Sequence, residues 1–399
     1  MYVRIIRGQN QIGGSIIEVG SASTRIVLDV GSELNETVPV VPEVEGLFQG
    51  EARYRAVLVS HYHGDHIGLH PKVVPGIPVY MGERAYAVHR AAVAWRNQTA
   101  AAVTGYLRPG ESFEVGDIKV LPLLCDHSAF DSYMIRLECE GKSLLYTGDF
   151  RSTGRKNYQA LLRRLGKVDL LITEGTTLAR PPAKSPTEKE LQEKAVGVLS
   201  AAEGPAFVLM AATNIDRLVT LFKAARRTGR VFLEDVYTAS IACAAGYKIP
   251  NPARFSGVRA FVTPPYTEDH YQLLQGYGQA KIGIRAIAKT RFLMCVRSSM
   301  KGYLEKLSQL VSFKGGVLLY SLWDGYRQKP EMAGFLEFME EKGVKAVPLH
   351  TSGHAEEAAF DKLIKRTQPG RILPVHTENA GWFERYGAGR VVYDRSFSL

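Results

Sequence analysis

The chain has 399 residues, of which 45% are hydrophobic and 23% are charged. This balance is typical of a globular protein and excludes a disordered or fibrous chain, and the length predicts about two or three domain-sized units. The formal net charge of +10 favours polyanions such as nucleic acid as partners, although a basic enzyme with another substrate would carry the same charge.

The sequence carries no sign of export or of membrane insertion. Its four cysteines lie far apart without a CxxC pair, which argues against a disulfide framework and fits a reducing compartment. The start has no basic segment followed by an apolar one, and no apolar run reaches the length of a membrane span. We therefore expect a cytoplasmic protein without a membrane partner.

Short strands alternate with turns in the first third of the chain. Residues 15–19 and 25–29 flank a Gly-Ser-Ala-Ser segment and predict a β-hairpin. Residues 56–59 predict a short buried strand, and the same kind of pattern predicts strands at 118–124, 133–137 and 143–146. The simplest arrangement is an antiparallel sheet with functional residues on its edge loops.

The pattern changes after residues 170–174, where a linker-like stretch occupies 180–184. Ser185-Pro186-Thr187-Glu188 then predicts a helix start with Ser185 as N-cap, a proline at the first helical position and a capping-box glutamate. A strand at 207–212, a helix from Asn214 to Arg227 and a strand at 230–233 follow. Such a βαβ unit predicts a parallel sheet and a separate α/β domain.

A cluster of metal-binding residue types follows the strand at 56–59. It consists of His61, His63, Asp65 and His66. A single histidine is more often structural, but three histidines and an aspartate within six positions after a strand predict a metal centre. His61 and His63 project from one loop towards one point, and Asp65 and His66 can serve a second ion.

Three later residues can complete two coordination shells. They are His127, Asp149 and His376, and each follows an apolar, strand-like run. Loops at the ends of such strands are where a site of this kind would take its remaining ligands.

These residues resemble the characteristic motifs of a known superfamily. Asp29 at a strand end, the HxHxDH sequence at 61–66, His127 and Asp149 resemble motifs one to four of the metallo-β-lactamase superfamily. The resemblance implies that the centre holds two divalent metal ions.

The later segments resemble the β-CASP family, the nucleic-acid-processing branch that includes RNase J. Glu174 matches its acidic motif A, His354 its motif B and His376 its motif C, and residues 210–217 resemble an RNase J segment whose helix carries an arginine. The resemblance implies an αββα metallo-β-lactamase sandwich with an inserted α/β β-CASP domain that contains a parallel sheet. The implied domain bounds are 1–180 and 346–399 for the sandwich and 181–345 for the insertion.

The resemblance also assigns the metal ligands. It implies that His61, His63 and His127 hold one ion and that Asp65, His66 and His376 hold the other, with Asp149 bridging both. Asp29 would orient the histidine loop without binding metal. Zinc suits a histidine-rich site, and manganese is the alternative.

The activity implied by the resemblance is cleavage of phosphodiester bonds in single-stranded RNA by a hydroxide that two metal ions activate. Asp65, His354 and Glu174 would be catalytic, with His354 as the general acid held by Glu174, and Ser352 and Gly353 would contact the substrate. DNA as substrate and a homodimer are left open. The alternatives are a hydrolase of a small molecule (a lactone, a thioester or a cyclic phosphodiester) and a non-catalytic RNA-binding scaffold.

Residues 294–303 depart from the RNase J pattern, and the sequence implies no functional role for residues 323–326. Residues 294–303 do not reproduce the RNase J loop, rich in Thr, Gln, Gly and Pro, that helps admit the RNA 5′ end. The direction of cleavage is therefore left open. For residues 323–326 (Trp-Asp-Gly-Tyr) we predict core packing over base stacking.

Overall fold

A computed structural model of the chain describes residues 1–34, 38–181 and 184–399. The chain folds into two compact units. The first unit comprises 1–152, 156–184 and 353–399, and the second comprises 153–155 and 185–352. The predicted linker at 180–184 includes residues 182 and 183, which lie outside the described residues.

The first unit contains two sheets. One has seven strands in the order β19-β1-β2-β3-β4-β5-β6, and the other has six in the order β18-β11-β10-β9-β8-β7. The strands of the first sheet are β1 (Tyr2–Arg7), β2 (Ile16–Gly20), β3 (Arg25–Leu28), β4 (Ala56–Leu58), β5 (Val79–Gly82), β6 (Gly105–Leu107) and β19 (Ser396–Ser398). The strands of the second are β7 (Phe113–Val115), β8 (Ile118–Cys125), β9 (Ser132–Cys139), β10 (Lys142–Tyr146), β11 (Leu170–Thr173) and β18 (Arg371–Pro374).

Side chains that alternate along the strands divide the core of this unit into two layers. On β10, Leu144 and Tyr146 join a cluster shared by both sheets. Leu145 between them faces the opposite way, into a cluster with Leu161 and Phe360. Helices therefore cover the outer face of the second sheet, and the unit is an αββα sandwich. Its helices are α1 (Gly64–Ile67), α2 (Glu83–Ala94), α3 (Tyr158–Arg164) and α11 (Glu357–Thr367).

The second unit is built on one parallel sheet of six strands in the order β14-β13-β15-β12-β16-β17. Its strands are β12 (Ala206–Leu209), β13 (Val231–Asp235), β14 (Val258–Phe261), β15 (Phe292–Val296), β16 (Gly316–Tyr320) and β17 (Val344–Pro348). Its helices are α4 (Glu188–Ala201), α5 (Ile215–Arg227), α6 (Val236–Ala245), α7 (Glu268–Gly276), α8 (Ile284–Ile287), α9 (Lys301–Ser308) and α10 (Pro330–Glu341).

Both faces of the parallel sheet are covered. On β12, Val208 belongs to one buried cluster, and Phe207 and Leu209 belong to another on the opposite face. Strands buried on both faces read as continuous apolar runs in the sequence, which is how residues 207–212 predicted a strand. The parallel sheet and the α/β class predicted for this part of the chain are confirmed.

Several local predictions are also confirmed. The hairpin is formed by β2 and β3, and the strand predicted at 56–59 is β4. Asn214 caps α5, because its side chain accepts a hydrogen bond from the Arg217 backbone. All four cysteines are free thiols.

Within the described residues, none of the helices has the length and apolar character that a bilayer crossing needs.

Two local predictions are wrong. The first third does not form a single antiparallel sheet, because β3, β4, β5 and β6 pair in parallel and the later strands form a second sheet. Parallel neighbours need crossover connections, and α2, which connects β5 to β6, was not predicted. The helix after the linker begins two residues later than predicted: Thr187 is its N-cap and Glu190 completes the capping box.

Glu234 on β13 is an unusual buried acid. Both of its carboxyl oxygens are buried and accept no hydrogen bond from the described part of the chain. Burial, together with the neighbouring Asp235 carboxylate, raises the pKa of Glu234 well above its ordinary value. The side chain therefore keeps its proton to a higher pH than an ordinary glutamate does.

We predict that Glu234 makes the protein less stable as the pH rises. The folded chain keeps this proton to a higher pH than the unfolded chain, so stability is full below the unfolded pKa of about 4.3 and falls above it. Glu234→Gln should remove that loss and raise the urea midpoint more at about pH 8 than at about pH 5. Glu305→Gln, at an exposed position on α9, is the matched control. The prediction would be refuted if Glu234→Gln changed the urea midpoint by the same amount at both pH values, as we expect of the control.

Candidate metal centre

The predicted site residues of the first unit follow the carboxyl ends of its strands. Strands β10, β11 and β18 are parallel neighbours, and β8 runs the same way because β9 is antiparallel to both β8 and β10. Their carboxyl ends therefore lie at one edge of the second sheet. From this sheet come His127 after β8, Asp149 after β10, Glu174 after β11 and His376 after β18, and from the first sheet come Asp29 after β3 and His61 after β4.

Three histidines converge on one point. Nε2 of His61 lies 3.2 Å from Nδ1 of His63, and Nε2 of His127 lies 3.1 Å from the same atom. The three ligand atoms all lie within 4.8 Å of one another. This is the spacing of donors around a single cation, and the family resemblance implies that these three histidines share an ion.

A second group lies beside the first. It contains Asp65, His66, Asp149 and His376, whose ligand atoms also lie within 4.8 Å of one another. Nε2 of His376 is 3.1 Å from Oδ2 of Asp65. Asp149 also lies close to the first group. Its Oδ2 is 3.3 Å from Nε2 of His66 in its own group and 3.8 Å from Nε2 of His61 in the other.

The ring nitrogens on the outer side of the site face acceptors or hydroxyl groups of the protein. Nδ1 of His127 donates to the Gly353 carbonyl at 2.6 Å, and Nδ1 of His376 lies 2.9 Å from the Thr176 hydroxyl. Nδ1 of His61 lies 3.0 Å from Oγ of Ser60. Contacts of this kind fix ring orientation and leave Nε2 to face the centre.

Asp29 orients several groups at once. Its Oδ2 accepts hydrogen bonds from Nδ1 of His66 at 2.7 Å, from the Tyr146 hydroxyl at 2.6 Å and from the Ser60 hydroxyl at 2.8 Å. Its Oδ1 accepts from the Ser60 backbone N–H at 2.6 Å. Asp29 is fully buried and does not belong to either ligand group, which agrees with an orienting role.

The three histidines of the first group are neutral. Burial, together with the neighbouring imidazoles, lowers the pKa of His61 and of His127 well below the usual value. Burial also lowers the pKa of His63, to about 4. A histidine binds a metal ion in its neutral form, so these rings are already in the state that a ligand needs.

The second group holds opposite charges close together. Burial alone would raise the pKa of Asp65, but His66 and His376 outweigh it and lower that pKa. Burial alone would lower the pKa of His66, yet the carboxylates of Asp149 and Asp29 raise it well above the usual value. Without another cation, the proton of His66 therefore offsets the buried carboxylates.

The donor set fits metal binding. Nε2 of His66 and Oδ1 of Asp149 are buried and make no hydrogen bond to any described residue. An unsatisfied buried polar atom costs about 1–3 kcal/mol, and a metal ion would satisfy both of these atoms. Imidazoles and carboxylates are ligands of first-row divalent metals, so the two groups could hold such ions.

His354 and Glu174 form a pair at the rim of these groups. Nδ1 of His354 lies 3.0 Å from Oε2 of Glu174 and 3.6 Å from Oδ2 of Asp149. Burial alone would lower the pKa of His354, but Glu174 and Asp149 outweigh it and raise that pKa to about 9. The His354 side chain is 24% exposed, whereas Glu174 is buried. A protonated, partly accessible imidazole can donate a proton to a bound ligand.

Three residues that support the site were missed in the sequence. They are Ser60, Tyr146 and Thr176, which contact Asp29, His61 and His376. Only Ser60 lies beside a predicted ligand in the sequence, so pattern alone gave no signal for the other two. Of the two predicted substrate contacts, Gly353 belongs to the first unit and Ser352 to the second.

We predict that Asp29→Asn weakens metal binding about 10- to 100-fold. The amide would turn a donor towards the hydroxyl and imidazole groups that now donate to the carboxylate, so His66 would lose its orientation. Asp169→Asn is a matched control, because Asp169 likewise accepts from the backbone and hydroxyl of one serine, Ser143, at 2.8 and 2.9 Å. Competition of Zn²⁺ between each variant and a chromogenic chelator measures affinity. Equal affinities of Asp29→Asn and the wild type would contradict the orienting role.

The comparisons with known proteins agree with this site. Residues 24–210 match the family model described as "Beta-lactamase superfamily domain". The Ribonuclease J of Sinorhizobium meliloti is 21% identical over 88% of this chain and 62% of its own length. The Ribonuclease J 2 of Streptococcus pyogenes is 22% identical over 93% of this chain and 68% of its own length. The chain thus spans about two thirds of the length of the second relative and slightly less than two thirds of the length of the first.

A solved structure shares the fold. A protein of unknown function from Enterococcus faecalis V583 superposes with a TM-score of 0.83 over 100% of this chain and 99% of its own, at 19% sequence identity. Residues 24–210 therefore carry a β-lactamase superfamily domain, and the chain as a whole is RNase J-like.

Proposed function

We propose that this protein is a metal-dependent hydrolase that cleaves phosphodiester bonds of single-stranded RNA. The observation that carries the proposal is the position of His354, whose Nδ1 lies 3.0 Å from Glu174 and 3.6 Å from Asp149. This arrangement sets a protonated imidazole beside the candidate metal ligands, where the leaving oxygen of a phosphodiester needs a proton. The names of the Ribonuclease J relatives favour RNA as the substrate.

We assign His61, His63 and His127 to one divalent ion and Asp65, His66 and His376 to the other, with Asp149 shared. Bound ions of this kind lower the pKa of a water molecule and offset the negative charge of a phosphodiester. A site rich in imidazole suits zinc, and manganese is the alternative. We assign Asp65 to the catalytic residues together with His354 and Glu174. Its carboxylate lies 3.1 Å from His376 and places a negative charge at the metal centre.

His354 is assigned as the general acid and Glu174 as the residue that positions it. Glu174 is fixed in turn, because its Oε1 accepts from the Phe150 backbone N–H at 3.0 Å and its Oε2 from that of Thr176 at 3.3 Å. Glu174 holds Nδ1 of His354, so Nε2 is the nitrogen that we expect to deliver the proton. The negative charge of Glu174 also keeps the imidazole protonated at neutral pH.

Substrate contact by Ser352 and Gly353 remains part of the proposal. A Cβ atom at Gly353 would lie 2.6 Å from Oγ of Ser128 and 3.4 Å from a ring carbon of His127. A glycine at this position therefore allows a close approach of the chain to a metal ligand, and its carbonyl already orients His127.

We predict that His354→Ala lowers kcat on a 5′-labelled single-stranded RNA about 10²- to 10⁴-fold, the range that general acid catalysis contributes. Metal content should stay unchanged, because His354 is not assigned as a ligand. His89→Ala, which removes a histidine of α2, is the control and should cleave like the wild type. A His354→Ala variant with undiminished kcat would exclude His354 as the acid. Absence of cleavage by the wild type with zinc or manganese would favour a small-molecule hydrolase.

We also predict that the wild type binds two divalent ions per chain. His63→Ala and His376→Ala each remove one ligand from a different ion, so each should bind fewer ions than the wild type in elemental analysis after dialysis. Asp117→Ala is the control. Asp117 belongs to a separate ligand group with Cys139 and Glu140, two of whose three members are exposed. Loss of metal in this control, or one ion in the wild type, would contradict the two-ion assignment.

A further inference from the structure

Two aromatic side chains of the second unit are exposed where a buried position was predicted. Trp323 is 51% exposed and Tyr326 is 40% exposed, so the prediction of core packing is wrong. Both belong to the turn that follows β16. Their rings meet edge to face, with centroids 5.6 Å apart and an interplanar angle of 87°. The pair offers aromatic surface at the carboxyl end of a parallel strand, where such sheets bind ligands.

Gly325 brings the indole close to the backbone of this turn. A Cβ atom at Gly325 would lie 2.3 Å from two carbons of the Trp323 six-membered ring, Cη2 and Cζ3. Any side chain at this position would therefore displace the indole. The sequence Trp-Asp-Gly-Tyr thus has a physical reason for its glycine, namely the position of the tryptophan.

The start of the turn is held by buried groups. Ser321 is buried and accepts a hydrogen bond from the Arg217 guanidinium. Arg217 is itself buried and is paired with Glu188 at 3.0 Å. The Tyr320 hydroxyl donates to the Trp323 carbonyl at 3.2 Å. The aromatic pair is therefore presented on a fixed base, which lowers the entropy cost of binding.

Two cationic side chains, Lys329 and Arg327, lie near the aromatic pair. Nζ of the exposed Lys329 lies 4.9 Å from the centroid of the Tyr326 ring. The Arg327 guanidinium lies 4.0 Å from the centroid of the Tyr320 ring and pairs with Asp324. Aromatic faces beside a lysine match the chemistry of single-stranded nucleic acid, which presents a base and a phosphate at each step.

We infer that Trp323 and Tyr326, with Lys329, form a stacking site for a base of single-stranded RNA. The inference rests on the proposed function for the class of ligand, and the residues themselves lie outside the metal centre. Stacking on an aromatic side chain stabilises a bound base and tolerates any base, because every base has a π-face. The site would therefore raise affinity for RNA without imposing a sequence.

The test compares four variants for binding of a labelled single-stranded oligouridylate by fluorescence anisotropy in a chelator, where cleavage plays no part. Trp323→Ala should weaken binding about tenfold, and Trp323→Phe should restore part of the loss. Gly325→Ala should also weaken binding, because its methyl group displaces the indole. Gly334→Ala, where a Cβ atom would meet nothing within 4 Å, should bind like the wild type. An oligomer of abasic ribose phosphate should bind the wild type and Trp323→Ala equally.

The outcomes separate this inference from the proposed function. RNA cleavage by the wild type, with unchanged affinity and KM in Trp323→Ala and Gly325→Ala, would overturn the stacking site alone. Binding that depends on Trp323, without cleavage when zinc or manganese is added, would support the site and refute the ribonuclease. No binding of RNA by the wild type would overturn the stacking site and leave the aromatic pair as a surface for a protein.

Discussion

Burial of many ionisable groups at one place is the constraint on which the metal centre depends. His61, His66 and Asp149 are almost completely buried, and burial of a charge without a partner is far more costly than burial of a neutral group. Part of the cost is avoided because three imidazoles are neutral. Part is offset by the ion pair between Nδ1 of His66 and the Asp29 carboxylate. The remaining unsatisfied atoms of His66 and Asp149 are those that a cation would satisfy.

The fold meets this constraint through the direction of its strands. Side chains that follow the carboxyl ends of parallel strands meet at one edge, although His376 lies some 200 positions after Glu174 in the sequence. Asp29 couples the two sheets at this edge, because it follows β3 of one sheet and accepts the hydroxyl hydrogen bond of Tyr146, which ends β10 of the other. The position of the histidine loop is thus linked directly to the strand that precedes Asp149.

Much of the site was predictable because each ligand follows a short apolar run, and this local pattern survives in the sequence. The helix capped by Asn214 was predictable for the same reason, since capping uses a side chain and a backbone group three residues apart. Contacts made only through space left no such signal: Tyr146 and Thr176 look like ordinary strand and loop residues. Strands β5 and β6, of four and three residues, were not predicted, because such short segments carry little periodic pattern, and their parallel pairing was missed with them.

The exposure of Trp323 shows why an aromatic residue beside a glycine is ambiguous in a sequence. Hydrophobicity predicts burial, but each strand of the second unit is already covered by the clusters that contain Val208 and Phe207. Trp323 and Tyr326 belong to neither cluster and are 51% and 40% exposed. The base of their turn is fixed by Arg217, a buried charge that Glu188 neutralises, and breaking such a pair costs about 3–5 kcal/mol. A buried ion pair is seldom the most stabilising choice for a core. The pair of Arg217 and Glu188 instead fixes the position of Ser321, and with it the start of the turn that follows β16.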